Sequence, residues 1–288
     1  MKMENFLKIS TVPALALIVG GTLYPIYKLV ELSLFEVRGL RMEYTFVGLK
    51  NFQTVFQDPL FVNSLQITAF FTITSVVIEI ILGTILAVLI AELKSQILQK
   101  FFLFILSMTF IISPVAVALI WRFILYPDLG LIDFLTTNIF NIQIRWLGDP
   151  FWAKISAVIV DVWHWTSFVV LIVYAGYISL PLPIFEAAQI DGATGFQRFF
   201  RISLPLLKPT IAVALFFRTI DVLQAFPELW QLTFGGPAFA TTILNILAYI
   251  ATFQMMNVNY AAIVSLVLAV ISLGVTAIYA LYLRRRGE

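Results

Sequence analysis

The stretch that decides the fold reads "EAAQIDGATG" at 186–195 and continues as "FQRFFRISLPLLKP" at 196–209. The alanines after Glu186 are strong helix formers, and the prolines before it suit the first turn of a helix. The run "DGATG" ends that helix, because glycine adopts the left-handed geometry of a helix end at no steric cost. Three phenylalanines in the second half then recur at helical spacing and share one face. The pattern predicts a polar helix–turn–helix over 181–205.

The composition of the rest of the chain is that of a membrane protein. Its 288 residues are 61% hydrophobic and 12% charged, with a mean hydropathy of +0.98. A soluble domain carries roughly 45–50% apolar and about 25% charged residues, so this chain has too few charges to cover a water-facing surface. The absence of cysteine excludes disulfides, thiolate metal sites and a cysteine nucleophile. A net charge of +2 gives no reason to expect a nucleic-acid partner.

Six segments have the length and apolarity of membrane-spanning helices, which need about 20 mainly apolar residues. Their apolar residues do not alternate with the period of two expected for the strands of a membrane barrel. We therefore predict an all-α, polytopic membrane protein with six transmembrane helices, in which 1–288 forms a single domain. The apolar segment 243–253 is either an amphipathic surface helix or part of a long, bent fifth helix. The six predicted helices cover approximately 11–34, 64–91, 101–125, 152–180, 206–227 and 260–283.

The positive charges predict the orientation, because Lys and Arg are concentrated in cytoplasmic connections. With the N-terminus inside, more of them lie on the inner side than on the outer side, so both termini and 181–205 are predicted to be cytoplasmic. The inner set is Lys2, Lys8, Lys94, Lys100, Arg198, Arg201, Lys208, Arg284, Arg285 and Arg286, and the outer set is Arg38, Arg41, Lys50, Arg145 and Lys154.

Ionisable residues inside the spans cost about 2.5–3.5 kcal/mol each on insertion scales, so they need a partner or a purpose. Arg218 and Asp221 lie three residues apart and can pair on one helix face. Two interpretations stay open: the pair is mutually neutralised, or it lines a solute path together with Gln224 and Phe226. One histidine and scattered carboxylates predict no metal site and no catalytic centre. The ionisable residues of the spans are Glu79, Arg122, Asp161, His164, Arg218 and Asp221.

Single residues of these spans have simpler expected roles. Glu79 is expected to bind a polar group on another helix. Arg122 is expected to extend its charged end toward the outer surface. Trp163 and Trp165 are expected to contact lipid or the membrane interface.

The segment 186–209 resembles the EAA loop of the permease subunits of bacterial and archaeal ABC importers. It carries Glu-Ala-Ala, a glycine at the turn and Ile-x-Leu-Pro at fixed spacing between two spans, and its variant is similar to that of the carbohydrate-uptake branch. The segments "LYPIYKLVELSLFEVR" at 23–38 and "FVGLKNFQTVFQDPLFVNSLQIT" at 46–68 resemble the same branch. The segment "LTFGGPAFATTIL" at 232–244 is typical of the first of two paired permeases in maltose- and glycerol-phosphate-type systems.

The resemblance implies a permease subunit that forms half of a path for a sugar or related polyol in a bacterial or archaeal inner membrane. Its implied partners are a second homologous permease, two ATPase subunits that bind ATP and Mg²⁺, an extracytoplasmic solute-binding protein and membrane lipid. This chain itself has no phosphate-binding G-x-x-x-x-G-K-[ST] loop and is expected to hold no cofactor. The residues implied in coupling to the ATPase are Glu186, Ala187, Ala188, Asp191, Gly192, Ile202 and Pro205.

An ion-gradient-driven secondary transporter is the alternative, with Glu79, Asp161 and Asp221 as an ion path. Six predicted spans without an evident internal repeat weaken it. A polytopic membrane enzyme is weaker still, because the spans offer one histidine, no cysteine and no clustered carboxylates.

Overall fold

The computed structural model describes residues 3–38, 43–127 and 129–287, which are mainly helical with one short antiparallel β-hairpin. Lys2 and Arg41, which entered the charge count, lie outside the described residues. The elements in chain order are α1 (Met3–Leu34), β1 (Phe35–Arg38), β2 (Glu43–Phe46), α2 (Lys50–Gln57), α3 (Pro59–Ala91), α4 (Gln96–Ile111), α5 (Pro114–Ile124), α6 (Leu131–Asn138), α7 (Pro150–Ile178), α8 (Leu182–Ile190), α9 (Gly195–Arg198), a π-helical segment (Phe199–Ser203), α10 (Leu204–Leu223), α11 (Pro227–Thr233), α12 (Leu244–Phe253) and α13 (Val258–Gly287).

Five helices of the described chain are long and apolar enough to cross a membrane. The predicted third span is different, because α4 and α5 meet at an angle of 97°. Pro114 has no backbone N–H, and Ile112 and Ser113 before it are extended, so the helix cannot continue. The prediction of a single helix over 101–125 is therefore wrong. By length and composition the described residues contain five spans, or six if the bent pair is one span. The five are Thr11–Leu34, Pro59–Ala91, Pro150–Ile178, Gly195–Leu223 and Val258–Tyr282.

The second arm of the helix–turn–helix and the following span are one helix, Gly195–Leu223. The sequence predicts that Pro205 separates them, and this is wrong. Immediately before Pro205, the Leu204 N–H donates to the Phe199 carbonyl, five residues back, in the π-helical segment. A π-segment of this kind is a common device at functional sites. Here it lets the chain pass a proline without ending the helix.

The contacts within the chain divide it into two compact units, one of Met1–Asn63 with Leu244–Ile271 and one of Ser64–Ile243 with Ser272–Glu288. That 1–288 acts as one permease domain stays a prediction. In the first unit, the apolar core includes Phe61, Leu247 and Ile263. Helix α12 is separate from α10 and buries Leu244, Ile246, Leu247, Ile250 and Ala251, so 243–253 is not part of a long fifth helix.

In the second unit, helices α3, α7 and α10 enclose one apolar core. Two glycines allow the helices to approach closely, as is usual between membrane helices. A Cβ at Gly83 of α3 would lie 2.5 Å from Val169 Cγ1 of α7, and one at Gly176 of α7 would lie 2.6 Å from Thr210 Oγ1 of α10. The buried core residues are Ala87, Val88 and Ile90 of α3, Val169, Val170 and Val173 of α7, and Leu207 and Ala214 of α10.

Candidate functional site

Arg218 of α10 lies at the centre of a charge cluster inside the second unit. Its guanidinium donates to both Glu79 oxygens on α3, through Nε at 2.6 Å and Nη2 at 2.8 Å. Nη2 also donates to Asp161 Oδ2 of α7 at 3.1 Å, and Nη1 donates to Asp221 one turn along α10. Arg218, Glu79 and Asp161 are at most 2% exposed, whereas the Asp221 side chain is 50% exposed. The cluster therefore joins three helices and opens to the surface only through Asp221.

The planar guanidinium is suited to this position, because its fixed fork matches a carboxylate in a bidentate pair. A buried charge is tolerated only when it is paired and hydrogen-bonded, and Arg218 meets both conditions. The prediction that Glu79 binds a polar group on another helix is confirmed. Trp165 is half-buried, and the Arg218 guanidinium carbon lies 4.8 Å from the centroid of its ring. Its expected contact with lipid or the membrane interface stays a prediction.

His164 of α7 forms a second buried polar group next to this cluster. Its Nδ1 lies 3.0 Å from Glu228 Oε2 of α11, and its Nε2 lies 3.2 Å from the carbonyl oxygen of Ile112. Each ring nitrogen of His164 thus has one polar partner, a side chain on one side and a backbone carbonyl on the other. Ile112 lies at the break between α4 and α5, so His164 satisfies a carbonyl that the interrupted helix leaves without its usual donor.

Helix α11 is also bound to α5 through Arg122. Its Nη1 donates to the Gln231 carbonyl at 3.3 Å, and its guanidinium carbon lies 4.8 Å from the centroid of the Phe234 ring. The Arg122 side chain is half-buried, and its expected extension toward the outer surface stays a prediction. Sequence reasoning missed Glu228, although "FPELW" places a carboxylate within an apolar stretch, which is the signal that could have identified it.

The four candidate solute-path residues occupy different environments. Arg218 is buried and fully engaged by carboxylates. Asp221 and Gln224 are exposed at the end of α10, where the Gln224 N–H donates to the Asp221 carbonyl. Phe226 is half-buried and stacks on Trp230, with ring centroids 5.9 Å apart. The structure thus joins Arg218 to Asp221, and a solute path along these four residues stays a prediction.

The helix–turn–helix predicted over 181–205 is present as α8, a turn at Gly192 and α9. Gly192 has φ of +72°, the left-handed region that favours glycine. Thr194 caps α9: its side chain accepts from the Gln197 N–H, and the Gln197 side chain accepts from the Thr194 N–H. These reciprocal bonds form a capping box. The hairpin of α8 and α9 is therefore an ordered element with defined ends.

The predicted coupling residues do not all face outward. Glu186, Ala187, Asp191, Gly192 and Pro205 are exposed, but Ala188 is 7% exposed and Ile202 is half-buried. The expectation that Ala188 lets a partner approach is wrong, because its methyl group faces the interior of this chain. Large apolar side chains lie exposed on the same hairpin, namely those of Leu182, Ile184, Ile190, Phe196 and Phe200.

The hairpin is held to the helix bundle by polar and aromatic contacts. Arg198 Nη2 donates to Glu92 Oε2 at 3.0 Å, just after the end of α3. The Tyr177 hydroxyl of α7 donates to Glu92 Oε1 at 3.0 Å, and the ring centroids of Tyr177 and Phe185 are 5.4 Å apart. Phe199 packs against the apolar core of α3, α7 and α10. The hairpin is thus fixed to α7 and to the end of α3 within the second unit.

The sequence from residue 79 to 288 matches the family described as binding-protein-dependent transport system inner membrane component. The chain is 34% identical to the lactose transport system permease protein LacF of Rhizobium radiobacter, over 89% of this chain and 86% of that protein. It is also 34% identical to the trehalose/maltose transport system permease protein MalF of Thermococcus litoralis, over 93% of this chain and 90% of that protein.

The fold is similar to that of a chain in the crystal structure of a bacterial ABC transporter involved in the import of the acidic polysaccharide alginate. The TM-score is 0.86 at 24% identity, with 99% of this chain and 96% of that chain covered. The same values hold for the bacterial alginate ABC transporter in complex with an alginate pentasaccharide-bound periplasmic protein. The predicted all-α, polytopic membrane fold is confirmed, and the matched sequence includes both the Arg218 cluster and the hairpin. The chain belongs to the family of binding-protein-dependent transport system inner membrane components.

Proposed function

We propose that this chain is the permease subunit of an ABC importer for a sugar or related polyol and forms half of the translocation path with a second, homologous permease. The observation that carries the proposal is the hairpin of α8 and α9, a capped polar element fixed to the bundle in a chain of this family. The names of similar permeases, for lactose and for trehalose/maltose, support a carbohydrate solute. The proposed location is a bacterial or archaeal inner membrane, with both termini cytoplasmic.

The hairpin is the proposed docking element for the ATPase subunits. Two such subunits would bind ATP and Mg²⁺, since this chain lacks a phosphate-binding loop. Glu186 and Asp191 present carboxylates, and Ala187 presents a small side chain, on the exposed side of the hairpin. The exposed apolar side chains beside them, such as Ile190 at 86% exposure, are suited to burial against a partner protein.

The solute path is proposed to run past the end of α10. Sugars are bound by planar polar groups combined with aromatic rings, and Asp221, Gln224 and Phe226 supply both. Arg218 acts there by fixing the Asp221 carboxylate and not by touching the solute, because it is 1% exposed.

The outer face is proposed to receive the solute-binding protein. Helix α7 is about 43 Å long at 1.5 Å per residue, so its first residue lies at the opposite membrane face from the hairpin. A cleft of about 430 Å³ lies at that end, lined by Asp133, Gln143, Arg145 and Trp152 among others. The similar alginate transporter was solved with a periplasmic protein, which supports a partner of this class.

The ion-gradient alternative is not favoured. Two of its three proposed carboxylates, Glu79 and Asp161, are buried and bound by Arg218. A mobile proton or sodium ion would have to displace that guanidinium.

Co-purification of the assembled importer tests the proposal. Glu186→Lys reverses the charge of the hairpin and is expected to reduce the amount of ATPase subunit bound to the permease. Asn138→Lys adds a positive charge at the exposed end of α6, near the other end of α7, and is expected to leave that amount unchanged. Equal ATPase recovery from Glu186→Lys and the unmodified chain would contradict docking through the hairpin. Uptake that persists without ATP and collapses with the ion gradient would favour the alternative.

A further inference from the structure

Two polar links join the same three helices at two levels of the second unit. At the hairpin, Arg198 of α9 and Tyr177 of α7 both bind Glu92 at the end of α3. We call this set of three residues the hairpin rung. Arg198 and Tyr177 come from two different helices, Glu92 directly follows a third, and Glu92 uses one carboxylate oxygen for each partner.

Deeper in the unit, the arrangement repeats with the same residue types on two of the helices. Arg218 of α10 binds Glu79 of α3 and Asp161 of α7, and we call this set the membrane rung. The two arginines lie on one uninterrupted helix, Gly195–Leu223. A glutamate of α3 and an arginine of that helix are thus paired twice, and α7 contributes a polar side chain each time.

The two rungs are far apart along the helices. At 1.5 Å per residue, they are separated by about 20 Å along α3, about 24 Å along α7 and about 30 Å along the helix that carries both arginines. Between them lies the apolar core of these helices, together with the close approaches at Gly83 and Gly176. One link would leave the helices free to pivot about it, whereas two links at this separation resist both sliding and rotation.

We infer that the hairpin rung holds α3 and α7 to the hairpin. These two helices and the helix 195–223 then move as one rigid body, which we call the lever. The inference rests on the proposed docking of an ATPase at the hairpin. Movement imposed there reaches Asp221, the half-exposed member of the charge cluster, because the membrane rung fixes α10 to the same two helices. Glu92, Tyr177 and Arg198 are positioning residues in this scheme and contact no solute.

The geometry of the hairpin rung also predicts which replacements it tolerates. Arg198 binds Glu92 through Nη2 alone, and its buried Nε has no hydrogen-bond partner. A single nitrogen donor can be supplied by lysine, so Arg198→Lys is expected to preserve the link. Arg218 uses three nitrogens on three carboxylates, and lysine cannot reproduce that fork.

A distance measurement in the complete importer tests the lever. The chain contains no cysteine, so Gln189→Cys on the hairpin and Ile73→Cys on α3, both exposed positions, can each carry a spin label. The distance distribution between the labels is recorded without nucleotide and after trapping with ATP and vanadate. In the otherwise unmodified chain the distribution is expected to stay the same, because hairpin and α3 move together.

Reversing the charge of Arg198 or of Glu92 is the change that breaks the link between them. Arg198→Glu or Glu92→Arg is expected to shift the distribution on trapping, and the double reversal Glu92→Arg/Arg198→Glu is expected to restore its constancy, as is Arg198→Lys. Arg201→Glu, at an exposed arginine three residues further on, is the matched control and should leave the distribution constant. Restoration by the double reversal separates a specific link from general damage to the hairpin.

Three results would overturn the lever: a shift on trapping in the unmodified chain, a constant distance in both single reversals, or a shift in Arg201→Glu equal to that in Arg198→Glu. Failure of the proposed function gives a different result. In that case no ATPase subunit co-purifies with the unmodified chain, and ATP with vanadate produces no trapped state.

Discussion

Replacing Arg218 by methionine removes the only described guanidinium that pairs with Glu79 and Asp161. Methionine keeps much of the length of the side chain, so the main effect is electrostatic. Both carboxylates are at most 2% exposed. Removing one partner of a buried ion pair costs about 3–5 kcal/mol, because the remaining charge is left uncompensated. We expect Arg218→Met to lower the free energy of unfolding by that amount.

A loss of this size is a large fraction of the roughly 5–15 kcal/mol that stabilises a typical protein. The triple variant Arg218→Met/Glu79→Gln/Asp161→Asn removes the stranded charges together with the guanidinium. It should therefore recover most of the lost stability, since replacing a whole buried ion pair is often close to neutral. Arg218→Lys keeps the charge but loses the bidentate contact, so its stability should lie between those of the methionine variant and the unmodified chain.

Unfolding by sodium dodecyl sulfate in mixed micelles, followed by tryptophan fluorescence, measures these differences. Trp165, one of the six tryptophans of the chain, lies against the Arg218 guanidinium and contributes to this signal. The exposed Arg201 provides the control, and Arg201→Met should change the unfolding free energy by less than about 0.5 kcal/mol. A loss below about 1 kcal/mol in Arg218→Met would refute the reasoning, because removing one partner of a buried ion pair is expected to cost about 3–5 kcal/mol. So would a triple variant no more stable than the single one.

Three further substitutions test the close contacts and turns of the second unit by the same unfolding measurement. Gly83→Ala should cost about 1–3 kcal/mol through the clash with Val169, and Val169→Ala in the same chain should recover part of it; no loss would mean that the helices separate easily. Gly192→Ala should cost about 1–2 kcal/mol from its positive φ alone, since no atom lies within 4 Å of the added Cβ. Gly195→Ala is the control and should not carry this cost. Equal losses in the two variants would contradict the backbone argument. Thr194→Ala should cost about 0.5–2 kcal/mol by removing the capping side chain, and Thr194→Ser should cost clearly less.

Local patterns in the sequence predicted the features that depend on local forces. Hydropathy identified the long spans, because each needs only its own apolar residues to enter lipid. Glycine and proline marked the hairpin, and Gly192 indeed supplies its left-handed turn. None of these local patterns predicted that α9 and α10 are continuous. Pro205 looked like a boundary, but the π-helical segment before it reorganises the hydrogen bonds.

Partner choice between distant helices was not predictable from one sequence. Arg218 and Asp221 were recognised as a pair because three residues separate them, whereas the bidentate partner is Glu79, on a helix far away in the chain. His164 binds Glu228 and the Ile112 carbonyl, both distant in the chain, and no local spacing rule points to either partner. The break at Ile112 follows from Pro114, which is visible in the sequence. The prediction of one helix followed the continuous apolarity of 101–125 and disregarded this proline.

The two rungs differ in exposure, and this difference sets what each can do. In the hairpin rung the side chains of Arg198 and Glu92 are 19% and 29% exposed, so water competes for both groups and the link contributes little to the free energy of folding. In the membrane rung the Arg218 and Glu79 side chains are 1% and 0% exposed, so parting them would strand a charge in a medium without water. Between membrane helices there is no hydrophobic driving force to select partners, and polar contacts and close packing decide the pairing. The membrane rung therefore specifies which helices associate and keeps them together, while the hairpin rung is the place where a force from outside the membrane reaches α3 and α7.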